Sequence, residues 1–150
     1  MITFDDSRWP LLTVGFTGTN SAQDFDAYLS KLTGYMNRGD KYLCILDTRS
    51  LTTPPTLEQR QRQVEWIRQN AATLRQRSLG TAFVITSPFI RLAMNIMYQL
   101  QPLPNPYTIV GDIKVAHTWA LERFRAAGIT LPAPRPSGQG LSGGDAAWSS

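Results

Sequence analysis

Histidine and cysteine are almost missing from this sequence, which holds one of each, His117 and Cys44, in 150 residues. With one cysteine no disulfide can close within the chain, and with one histidine there is no Cys/His cluster of zinc-binding spacing. Cys44 lies inside the apolar run YLCIL (42–46), which marks a small buried side chain rather than a reactive thiol. A Ser-His-Asp or Cys-His catalytic arrangement would have to use His117. That residue is flanked by Ala116 and Trp119 in a segment expected to pack as a helix on the core, so a partly buried structural histidine is the reading adopted.

Long apolar runs are also absent. No stretch reaches the roughly 18 residues that a membrane helix needs, and MITFDDSRWP has neither the basic start nor the apolar core of a secretory signal. The expectation is a cytoplasmic protein with no transmembrane segment. Phosphate loops of the form GxxxxGK[ST] or GxGxxG and the nucleophile elbow GxSxG are missing as well. Charge is thin: 15 Lys and Arg against 11 Asp and Glu give a net +4. Much of the excess falls between Arg60 and Arg77, where Arg alternates with Gln, Glu58 and Glu65. This pattern is a solvated helix face, and nucleic-acid binding is not expected. No catalytic residue, metal ligand or cofactor is assigned. Asp47, at the end of an apolar strand where open α/β sheets bind ligands, is the best single polar candidate, with capping of its own loop as the plainer role.

What is present is sufficient for one core. Hydrophobic residues make up 42 % of the chain, with four Trp, six Phe and five Tyr; this supports one domain and is too little for two. From Leu131 the composition turns to Pro, Gly and Ser, so the expected division is a domain over 1–130 and a flexible tail over 131–150. Trp148 is the one large aromatic in that tail.

Within the domain the periodicity alternates between strand and helix. Residues 1–5 and 11–18 are β-rich runs separated by DSRWP, which predicts an antiparallel hairpin. Asn20 or Ser21 caps a helix carrying Ala22, Phe25, Leu29, Leu32 and Met36 on one stripe, with Gly39 at its end. A strand over 41–47, apolar on both faces, leads through a loop TRSLTTPP to a long helix from about Thr56 to Arg77. Its apolar seam is Leu57, Val64, Ile67, Ala71 and Leu74. A strand over 80–87 follows, then a third helix that starts at Pro88 after a Ser87 cap. A short strand over 107–111 and a helix capped by Asp112 and closed by Gly128 complete the order β-β-α-β-α-β-α-β-α. With right-handed crossovers this is an α/β fold: a single mixed, mostly parallel sheet of about five strands with an antiparallel N-terminal edge hairpin and four helices.

The strand and loop LCILDTRS (43–50) and the closing stretch YTIVGDIKVAHTWALERF (107–124), set in that order of elements, resemble the STAS/SpoIIAA-like family. This is the family of anti-sigma-factor antagonists and their relatives, with members compared to CRAL-TRIO-type lipid carriers. The resemblance covers about residues 1–127. It implies a regulatory protein that binds another protein. Family members regulated by phosphorylation carry Asp-Ser-Ser-Gly at the start of the second helix. Here that place is LTTPPTLEQR (51–60), without the Asp or the Gly, so a kinase of the usual type is not implied; any phosphorylation falls on Thr53 or Thr56, and Thr56 serves first as an N-cap.

Two surfaces are candidates for binding. On the second helix Arg62, Trp66, Gln69, Asn70, Thr73 and Arg77 diverge from the apolar seam. There Trp66 is either displayed among polar neighbours or folded over an adjacent helix or the loop at 52–55. On the third helix Leu92, Ala93, Met94, Ile96, Met97, Tyr98 and Leu100 exceed what one buried face requires. That surplus indicates a dimer contact, a partner groove or the wall of an apolar pocket. The leading expectation is a non-enzymatic regulatory or scaffolding module that binds a protein partner through Arg62, Trp66, Gln69, Asn70, Met94, Met97 and Tyr98. A homodimer remains open. The alternative function is a carrier of a small apolar ligand such as a lipid, held between the third helix and the sheet.

Overall fold

A computed structural model describes residues 1–134; Trp148 and the rest of the expected tail lie outside the described residues. The elements are β1 (Ile2–Arg8), β2 (Leu11–Gly18), α1 (Ala22–Met36), β3 (Tyr42–Leu51), α2 (Leu57–Arg77), β4 (Ser78–Val84), α3 (Pro88–Leu100), β5 (Tyr107–Val110) and α4 (Ile113–Ala126). They form the expected α/β fold, one five-stranded sheet in the order β1-β2-β3-β4-β5. β1 and β2 are antiparallel and every other pair is parallel.

Because the parallel strands advance in one direction across the sheet, right-handed crossovers place α1, α2 and α3 on the same face. The two cores follow from this. Leu12, Val14, Cys44, Leu46, Phe83 and Ile85 point to the three-helix face, where they meet Tyr28, Leu32, Ile67, Leu74, Met94 and Tyr98. The alternate residues Leu11, Leu43, Ile45, Ala82 and Val84 point the other way, onto Ala116, Ala120 and Phe124 of α4. The period of two along β3 explains why its apolar centre is continuous: successive residues serve different cores.

The helix starts follow local chemistry. Ser21, rather than Asn20, caps α1, its Oγ accepting from Asp24 N–H at 3.0 Å while Asp24 accepts from Ser21 N–H at 3.1 Å. Thr56 caps α2 in the same reciprocal way with Gln59. Ser87 caps α3, with Pro88 in its first turn.

Several boundaries differ from the sequence expectation: β1 runs to Arg8 and not only to residue 5, and β4 covers Ser78–Val84 in place of 80–87. β3 runs on through TRSL to Leu51, because Ser50 and Leu51 pair with Thr17 and Gly18 beyond a register shift that leaves one extra residue in β3 between Asp47 and Ser50. Leu131, placed in the tail by composition, packs against the α4-side core, and the Pro132 carbonyl accepts from Arg8 Nε at 3.2 Å. Among the described residues no helix is long and apolar enough to cross a membrane.

Candidate functional site

α2 is the least embedded of the helices. Of its 21 residues only Gln59, Ile67 and Leu74 are buried. Leu57, expected in its apolar seam, is exposed. The loop through Pro54 and Pro55 and the first turns of α2 border a cleft of about 70 Å³.

The cleft sits over the carboxyl ends of β2, β3 and β4, where Phe16, Leu46, Thr48 and Phe83 form its floor. α1 supplies Phe25 and Tyr28, α3 supplies Ile90, Met94, Met97 and Tyr98, and α2 closes the top with Gln59, Arg60 and Gln63. A second void of about 50 Å³ continues beneath α2 toward Trp66 and Leu74. Tyr28, Leu46, Gln63 and Tyr98 line both spaces and so stand between them.

Polar groups on these walls fall into two sets. The Thr48 hydroxyl donates to Val84 O at 2.9 Å, and the Gln59 amide is used at both ends, by Thr56 N–H and Asn20 O. In contrast, the hydroxyls of Tyr28 and Tyr98 and the amide of Gln63 have no hydrogen-bond partner among the described residues. The guanidinium of Arg60 forms no ion pair with any of them, and its buried Nε makes no hydrogen bond. Burial pushes the Tyr28 phenol far above its ordinary range, with the nearby Tyr98, Cys44 and Tyr42 adding to the effect. Tyr98 is raised mainly by burial and further by Tyr107. Both phenols therefore stay protonated and able to donate.

The residues singled out from sequence are divided by the structure. Met94, Met97 and Tyr98 are buried and face the cleft; they are not part of an exposed partner face, because the strongly apolar third helix directs its sulfur-bearing and phenolic side chains inward. Arg62, Trp66, Gln69 and Asn70 are not a free patch either. Arg62 pairs with Asp26 of α1 and approaches Glu58 at 3.8 Å. Trp66 Nε1 donates to Thr33 Oγ1 on α1 at 2.9 Å, and its ring packs on the core. Asn70 donates to Trp66 O at 2.8 Å, and Gln69 to Glu65 at 3.2 Å. On this flank Arg62 and Trp66 thus reach α1, its neighbour in the helical layer, while Gln69 and Asn70 bond within α2 and Gln69 stays exposed. Of the two readings of Trp66, folding over an adjacent helix holds.

The other flank of α2 faces α3 across a surface groove lined by Leu57, Arg60, Val64, Arg68, Ile96 and Leu100. Along α3 the apolar side chains left outside the core are Phe89, Leu92, Ile96 and Leu100, exposed by 77, 59, 45 and 77 %. Their spacing of three and four places them on one stripe.

Asp47 points to the α4 side of the sheet and accepts from Arg49 three times, from its backbone N–H, Nε and terminal nitrogen, at 3.1, 2.9 and 2.8 Å. Partial burial pushes its carboxyl upward, but those hydrogen bonds and the Arg49 charge outweigh it and hold the pKa below the ordinary value. The carboxylate is committed to its own loop. His117 lies on the exposed side of α4, with its ring partly desolvated near Arg8 and Asp5. Thr53 is exposed at the cleft mouth, with its hydroxyl 3.2 Å from that of Thr19. Thr56 is held by its capping role. Among the described residues no group of three His, Cys, Asp or Glu is placed to hold a metal ion.

Sequence reasoning missed Tyr28, Arg60 and Gln63. Tyr28 had a signal, since it lies three residues after Phe25 and four before Leu32 on the same stripe. Arg60 and Gln63 sit in a polar helix and had none. No protein-family model, curated protein or solved structure matches the chain.

Proposed function

We propose that the protein is a non-enzymatic regulatory or scaffolding module of the STAS/SpoIIAA-like kind, whose α2–α3 face docks an amphipathic helix of a protein partner. The observation that carries this reading is the exposed stripe Phe89, Leu92, Ile96 and Leu100 beside an apolar groove. Four large apolar side chains on one solvent-facing helix stripe are a cost in solubility that an interface removes. The face now differs from that expected from sequence: it lies on the α3 side of α2. Its occupant carries an acidic flank beside Arg60, because Arg68 on the same groove is already paired with Glu65 at 2.6 Å and the excess is one positive charge. A second copy of α3 lacks this complement, since Arg91 is the only charged residue of PFIRLAMNIMYQL.

The test uses a synthetic helix with leucines spaced three and four apart, flanked by glutamates in one version and by lysines in the other. Fluorescence anisotropy should show the glutamate version binding the purified chain more tightly. Leu92→Gln and Ile96→Gln should each weaken it about tenfold without changing the fold. Equal binding by both variants and the parent would sink the assignment. Parent dimers that dissociate in the variants would give the stripe to a second copy instead.

A second reading is favoured by the cleft itself. A cavity at the carboxyl ends of parallel strands, apolar in its floor and with unpartnered polar groups in its walls, has the make-up of a small-molecule site. It supports the carrying or sensing of a small apolar ligand beneath α2. Saturation-transfer NMR with hexan-1-ol, read at the methyl groups of Ile90, Met94 and Met97, tests for entry of such a molecule. Absence of any effect at those methyls would remove this reading.

A further inference from the structure

We infer that the cleft beneath α2 takes a small monocarboxylate with an apolar body, the carboxylate set against Arg60 and the body lying on Phe16, Leu46, Phe83 and Met97. The inference rests on the small-ligand reading of the cleft and adds the chemical class of the ligand.

The lining is unbalanced in charge. Among the described residues Arg60 is the only charged one in the lining, and no Asp or Glu borders the space. The Arg60 Nε is buried and has no acceptor, so contact with a ligand falls to the terminal nitrogens of the guanidinium, whose matching group is an anion with two oxygens. The neutral groups lean the same way. Tyr28 and Tyr98, only 2 and 8 % exposed, stand where the cleft meets the second void with phenolic O–H groups that lack a protein acceptor, and Gln63 at the same boundary adds an amide. These groups can donate to a carboxylate, and no carboxylate of the lining repels it.

Size and polarity set the rest of the molecule. The cleft is about 70 Å³, roughly half of the about 150 Å³ that houses benzene in an engineered cavity. A body of a few carbons fits without rearrangement, and the second void beyond Tyr28 and Tyr98 extends the path for a somewhat longer chain. Inorganic anions satisfy Arg60 but leave the apolar floor uncovered, so the body contributes to affinity.

The experiment is a calorimetric titration of the full chain with hexanoate, hexan-1-ol and acetate, repeated on Arg60→Gln, Arg60→Lys and Met97→Trp. Hexanoate should bind the parent about tenfold more tightly than either hexan-1-ol or acetate. Arg60→Gln should remove that advantage over hexan-1-ol, while Arg60→Lys, which keeps the charge without the planar fork, should lose less. Met97→Trp fills the space and should abolish binding of hexanoate and hexan-1-ol together, with thermal melting used to confirm that each variant folds. If hexan-1-ol binds as well as hexanoate and Arg60→Gln changes nothing, the carboxylate assignment falls while the ligand cleft stands. If acetate matches hexanoate, the apolar body is overturned. If neither hexanoate nor hexan-1-ol binds, the cleft reading falls and takes this inference with it.

Discussion

The indole of Trp119 on α4 lies against Gly80 of β4 so closely that a Cβ built at position 80 comes within 2.6 Å of the ring and 2.8 Å of the Pro106 carbonyl. The backbone there also has φ of 150°, a value L side chains rarely adopt. Gly80→Ala should therefore lower stability by about 2–3 kcal/mol, through both the clash and the strain. Urea unfolding checks this, with the expected loss appearing in the midpoint and an unchanged m value. A Gly80→Ala chain as stable as the parent would show that α4 is free to shift on the sheet.

The Trp66–Thr33 hydrogen bond couples α2 to α1. Trp66→Phe and Thr33→Val should each cost about 1 kcal/mol, and the double variant should cost less than their sum because both remove the same bond. A double-mutant cycle with strictly additive losses would assign the role of Trp66 to packing alone.

Cys44 is buried, and desolvation pushes its thiol up to about 12. The native protein should be unreactive toward a thiol reagent at neutral pH, with labelling following global unfolding. Fast labelling in the absence of denaturant would mean that the layer over β3 opens locally.

His117 gives a clean titration because it is the only histidine. Desolvation of the ring, and after it the charge of Arg8, lower its pKa from 6.5 against the opposing pull of Asp5. A depressed folded pKa favours the neutral ring in the native state. Its contribution to stability is therefore fully present above 6.5 and is lost as pH falls through the lower, folded value. NMR should place the midpoint below 6.5, and Arg8→Gln should move it upward. A midpoint that Arg8→Gln leaves in place would assign the whole shift to burial.

The candidate site was less legible than the fold. Met94, Met97 and Tyr98 were found as an apolar surplus on the third helix, and one of the outcomes open to that surplus was a pocket wall, which is where they lie. Trp66 and Arg62 were found as residues off the seam, yet what they face is α1. Tyr28 was hidden by treating the stripe of the first helix as core alone. Arg60 was lost among the other arginines of a polar helix, since nothing in a charge pattern separates a guanidinium that borders a cavity from one in solvent.

By itself the sequence determined the kind and order of the elements, their caps at Thr56, Ser87 and Asp112 with the first narrowed to Asn20 or Ser21, and the two-sided burial of YLCIL. These depend on neighbours within a turn or two along the chain, which is the range over which capping bonds and side-chain period act. Only the tertiary structure decided which flank of α2 is covered by α1 and which by α3, where a cleft stays open beneath the polar second helix, and which apolar residues of the third helix remain outside. Those outcomes are set by strand order and crossover hand, and periodicity tells which side chains share a face without telling what will cover it.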